Sequence, residues 1–132
     1  MRAWATASAA IVIASALGTA GARAQPYSGS GDYQVYCVSC HGAEGRGDGM
    51  IAKSLKKQPA DLTRIAQRNG GAFPLEKVAR AIDGREPTNA HGPTDMPRWG
   101  DVLAKSNTSL GAENTAARID ALVKYLQTLQ AK

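Results

Sequence analysis

Cys37-Val38-Ser39-Cys40-His41 is the stretch on which the reading of this chain turns. Its pattern is C-x-x-C-H, the attachment sequence of a c-type haem. Two thiols three positions apart lie within one helical turn, so both can form thioethers with the two vinyl groups of one porphyrin. The next residue then offers an imidazole to the iron from the same side. Other uses of paired cysteines fit less well. A thioredoxin-like redox pair sits in a βαβ setting, and the flanks carry no strand pattern. A structural zinc site needs four ligands, and only His41 and His91 remain to complete one. A plain disulfide leaves His41 without a role. The chain has two cysteines in all, so neither has another thiol to serve.

Toward the N-terminus the pattern changes to that of an export signal. Arg2 supplies a positive start, Ala9 to Leu17 form a short apolar run, and Ala22-Arg23-Ala24 reads as a cleavage site. The expected division is a cleaved secretory signal peptide over 1–24 and a single monohaem domain over 25–132. The competing reading, an uncleaved anchor, asks a short run rich in Ala, Ser and Thr to span a bilayer. No cysteine precedes Cys37, which excludes lipid attachment near the cleavage site. Export together with covalent haem implies a bacterial periplasm.

Charge and composition narrow the class. Loss of 1–24 removes Arg2 and Arg23 and lowers the formal charge from +5 to +3, and two haem propionates bring it near +1. No basic stripe with interleaved aromatics is present, so nucleic acid is not an expected partner. One Phe, two Trp and four Tyr furnish a small core, and a chain of this size buries only a modest one. A large apolar cofactor supplies the missing volume.

Helical patterning follows along the chain. Residues 25–31 read as a flexible lead-in, and a helix capped by Ser30 or Asp32 runs into Cys37–His41. Residues 42–49, half glycine, must be loop. They lack the Lys-Ser/Thr and the preceding strand of a phosphate loop. A short helix over Met50 to Lys56 stops ahead of Pro59, and another spans Asp61 to Arg68, ended by Asn69-Gly70-Gly71. Pro74 opens a helix with an apolar face of Leu75, Val78, Ala79 and Ile82, closed by Gly84. Residues 85–97 read as loop. The last helix buries Ile119, Leu122, Val123, Leu126 and Leu129, with Arg118, Asp120, Lys124 and Gln127 on its outer side. Composition reads 107–117 only as loop and helix start.

These landmarks together resemble a class I cytochrome c. Gly29 and Tyr33 match the G-x-x-x-aromatic pattern of that family's first helix, and Leu122, Tyr125 and Leu126 match its last. The resemblance implies that the two helices cross at Gly29, with Tyr125 filling the crossing. Pro59-Ala60-Asp61-Leu62 resembles the segment whose proline carbonyl accepts the proximal histidine's Nδ1–H. Met96-Pro97 with Trp99-Gly100 resembles the distal-ligand loop of small bacterial members. The implied fold is all-α, a cytochrome c fold of about four to five helices around one covalently bound haem c.

The candidate site follows. Cys37 and Cys40 are the thioether positions and His41 the proximal iron ligand. Three side chains compete for the other axial position. Met96, 55 positions after His41 and next to Pro97, can wrap over the opposite haem face; His91 and Met50 are the alternatives, and an open site is the fourth. Arg98 and Trp99 offer a planar fork and an N–H to a propionate, against plain surface charge and packing. Lys53, Lys56 and Lys57 form a basic cluster, read as a solvated face or a docking patch.

Iron closed by His and Met carries an electron without exchanging a ligand. The expected function is therefore that of a one-electron carrier and not an enzyme. Its partners are a donor and an acceptor protein, with no small-molecule substrate, and with membranes met only through a partner complex. A haem subunit of a larger oxidoreductase, and a gas-binding or peroxidatic protein with a labile sixth ligand, are the alternatives.

Overall fold

The computed structural model describes residues 27–84, 96–106 and 113–131. The signal segment, His91 and most of the 85–97 loop lie outside the described residues. Within them the chain is helical, with no strand. Its helices are α1 (Gly29–Tyr36), α2 (Val38–His41), α3 (Ile65–Arg68), α4 (Leu75–Asp83), α5 (Trp99–Ser106) and α6 (Glu113–Thr128). Two 3₁₀ turns, Ala52–Ser54 and Leu62–Arg64, complete the set.

α1 starts earlier than the expected cap. Ser28, not Ser30 or Asp32, accepts the Gly31 N–H at 3.1 Å, meeting one of the unpaired donors of the first turn. Ser30 Oγ is hydrogen-bonded to Ser28 Oγ, and Asp32 is engaged elsewhere, by Arg118.

α1 crosses α6 at Gly29. A Cβ there would run into the Ala121 carbonyl and come within 3.0 Å of the Leu122 nitrogen, so only glycine permits this approach. Tyr33 packs one turn on, fully buried, with its ring 5.3 Å from that of Tyr125. Its hydroxyl donates to the Gly42 carbonyl at 2.7 Å, and burial holds its pKa above the ordinary tyrosine value. The core continues through Val78 and Ile82 of α4, Leu103 of α5, and Ile119, Leu122, Val123 and Leu126 of α6. The apolar stripes expected on α4 and α6 therefore face one another, except that Leu75, at the start of α4, is 46% exposed and Leu129 lies just past the end of α6, half-buried.

One outer-face assignment on α6 is reversed. Asp120 and Lys124 are exposed and pair with each other at 2.6 Å, but Arg118 is only 6% exposed. It turns inward because Asp32, far away in sequence, supplies a carboxylate that neutralises it.

The segment 50–56 forms a single 3₁₀ turn in place of the expected helix, and Asp61–Arg68 divides into a 3₁₀ turn and α3. Asp61 caps this stretch by accepting the Thr63 N–H at 2.9 Å. The C-terminal residues clamp it. Gln130 accepts the Ala66 N–H and donates to the Leu62 carbonyl, and the Ala131 N–H reaches the Thr63 carbonyl. α5 had no counterpart in the sequence reading.

Candidate haem site

α2 is one turn long and carries Cys40 and His41, with Cys37 as its cap. So short a helix does not hold itself, and the glycine-rich loop supports it. The N–H groups of Ile51, Gly49 and Gly47 donate to the carbonyls of Ser39, Cys40 and His41 at 3.0, 3.1 and 2.8 Å. These are the orphan acceptors of a helix end. A Cβ on Gly49 would lie 2.5 Å from the Cys40 carbonyl carbon, so the loop lies this close only because the residue is glycine.

His41 is buried, and its Nδ1 lies 2.9 Å from the Ala60 carbonyl. A carbonyl only accepts, so Nδ1 carries the hydrogen and Nε2 keeps its lone pair. Burial lowers the imidazole's pKa, against the opposing pull of the Ala60 hydrogen bond, which favours the neutral, ligating form. The acceptor is one residue beyond the expected Pro59. Pro59 lines the cavity instead; its carbonyl comes close to Gly47, within 3.2 Å at its carbon of where a Cβ would sit.

Two adjoining hollows of about 200 and 240 Å³ lie against this imidazole. Cys37, His41, Ala60, Met96 and Trp99 line both; Cys40, Tyr36 and Pro59 line the smaller, and Val78, Ile82, Leu122 and Leu126 the larger. Together they fall in the ~300–1,000 Å³ range of cofactor sites, apolar with a few polar groups. Cys37 and Cys40 are unpaired thiols, half-buried at its edge. Burial, then the Asp32 carboxylate, then Cys40, push the Cys37 thiol up to about 12.

The structure thus brings Cys37, Cys40, His41, Met96, Pro59 and Trp99 to one cavity. Arg98 is not among its lining residues: it is exposed and pairs with Asp101 at 3.3 Å. Met50 is 89% exposed and stands outside the cavity. Lys57 lines its mouth, while Lys53 lines a separate surface hollow with Met50. Tyr36 and Ala60 were missed by the sequence reading, although each neighbours a residue singled out there, Cys37 and Pro59.

The residues fit a haem. Two free thiols stand at the edge of an apolar cavity, and an imidazole with a bare Nε2 and a thioether line its walls. Such a helical domain, with a redox cofactor's donors on one short helix, defines a haem-binding electron-transfer protein. The family model Cytochrome c matches residues 28–130, and the chain belongs to that family as a class I c-type cytochrome, with covalently bound haem c as its cofactor. Comparison with curated proteins and with solved structures returned no match. Members of the family are generally electron carriers. Among the described residues no helix is long and apolar enough to cross a membrane.

Proposed function

We propose that this chain is a periplasmic one-electron carrier with a single haem held by thioethers from Cys37 and Cys40, and by His41 Nε2 and the Met96 thioether as axial ligands. The observation that carries the reading is that these four side chains line one cavity. When bound, the haem iron supplies the electron chemistry, alternating between two oxidation states.

The chain's own residues do the rest. Ala60 fixes the His41 ring and its tautomer through the Nδ1 hydrogen bond, as partners outside the ligand set do for metal-bound histidines. Tyr33, Ile82, Leu122 and Leu126 keep water from one side of the cavity, and Tyr36 and Trp99 wall another. Met96, as a thioether ligand beside His41, would raise the potential of a bound haem. With His41 and Met96 both holding the iron, the site would pass an electron without exchanging a ligand, which suits a carrier. Residues 1–24 are the export signal in this reading. The partners are a donor and an acceptor protein that approach the exposed face bearing Lys53, Lys56 and Lys57.

The test is the visible spectrum of the reduced, exported protein before and after carbon monoxide, with Met96→Ala alongside. An unchanged spectrum in the natural protein and a shifted Soret band in the variant are expected. A shift in the natural protein overturns the closed site and favours gas binding.

A further inference from the structure

Arg118 is a buried cation that the carrier reading leaves unused. Its Nε and Nη2 donate to the two Asp32 carboxylate oxygens at 2.8 and 2.6 Å, and its Nη1 donates to Ser106 Oγ at 2.9 Å. Its side chain is 7% exposed and that of Asp32 15%. A buried ion pair is commonly no more stabilising than an apolar pair of the same volume, so stability alone does not account for it.

The surroundings point to a second role. The guanidinium carbon lies 5.5 Å from the centre of the Tyr36 ring, within cation–π range. The Tyr36 ring in turn meets that of Trp99 at 5.4 Å, tilted by 58°. Tyr36, Trp99 and Met96 line the same hollow. α5 links these contacts. Its C-terminal residue, Ser106, is bound by Arg118, and its first residue, Trp99, rests on Tyr36 three positions after Met96. One side chain of α6 therefore binds one end of this helix directly, at Ser106, and reaches the other, where the Met96 segment joins it, through Tyr36 and Trp99. Its grip on α1 is also close to Cys37, which follows Tyr36 directly.

We propose that Arg118 is a positioning residue for the distal side of the haem: locked on Asp32 and Ser106, it fixes the Tyr36–Trp99 pair and α5, and so holds Met96 at the iron. The proposal rests on Met96 ligation. Lysine cannot replace the fork, because a single ammonium cannot hold both carboxylate oxygens, Ser106 and the ring together.

The experiment compares the holoprotein with Arg118→Lys and with the apolar pair Asp32→Leu/Arg118→Met. It reads the weak red sulfur-to-iron absorption of the oxidised form, and the apparent affinity for added imidazole, which competes with Met96 for the iron. Both variants are expected to weaken the red band and to bind imidazole about tenfold more tightly, the scale of a lost buried cation–π contact. The apolar pair should do so while melting near the natural protein. Should Arg118→Lys fail to fold, the apolar pair carries the same readout. Unchanged band and affinity in both variants overturn the proposal, whatever happens to melting. So does a change confined to Arg118→Lys, which would mean that the site needs only to be filled. A natural protein without the red band overturns Met96 ligation, and the proposal with it.

Discussion

The position next to the imidazole's acceptor shows how much a single residue contributes to the site. Asp61 follows Ala60 directly. Its carboxylate accepts the Thr63 N–H at 2.9 Å and the Thr63 hydroxyl at 2.6 Å. The Thr63 side-chain hydrogen bond is the main reason that its pKa lies below the ordinary carboxylate value. A depressed carboxylate pKa stabilises the fold above the unfolded-state pKa, and that stability is lost as the pH falls through the folded-state value. Asp61→Ala should cost about 1 kcal/mol at neutral pH, the worth of a capping side chain. The gap between the variant and the natural protein should close in acid, where both lack the charge. Denaturant titrations of the two holoproteins at neutral and acid pH check this. A gap that is the same at both would mean that the carboxylate's charge plays no part in the cap.

At the scale of elements, the crossing of α1 and α6 was legible through the family resemblance that Gly29, Tyr33 and Tyr125 carry, and its physical basis is that so close an approach of backbones demands glycine. Gly29→Val tests it directly. The Ala121 carbonyl occupies the space of the added side chain, and backbone cannot swing aside as a flexible side chain does. A loss of about 3 kcal/mol or more is expected, at the top of the range for overpacked sites, and a Tm within a degree of the natural protein would refute the crossing. α4 and the body of α6 were legible because their apolar spacing repeats over two turns or more. α5 was not. It is eight residues long, and of those only Gly100 and Leu103 are buried, too few to set a period. The inward turn of Arg118 was hidden for a different cause. A charge within a helical pattern reads as solvent-facing unless its partner is known, and Asp32 lies 86 positions away. The shift from Pro59 to Ala60 is one residue, less than pattern matching resolves but decisive for which carbonyl meets His41.

For the whole molecule the main consequence is that fold and cofactor are one equilibrium. α6 packs against both α1 and α4, and the three helices also wall the larger hollow, through Tyr33, Val78, Ile82, Leu122 and Leu126. The residues that make the core are thus the residues that need the haem. The two hollows of about 200 and 240 Å³ are open at a mouth, so without haem their apolar lining faces water and loses its packing partners. The Gly-rich loop and the Gln130 clamp hold the chain only locally. The chain without haem should therefore not keep its helices. Cys37→Ala/Cys40→Ala, produced without covalent haem, is expected to lose most of its far-ultraviolet helical signal and to melt without a cooperative transition, since collapse around an empty site leaves no unique packing. A helical, cooperatively melting double variant would show that the protein contacts alone suffice, and the haem would then be a guest in a finished fold and not part of its core.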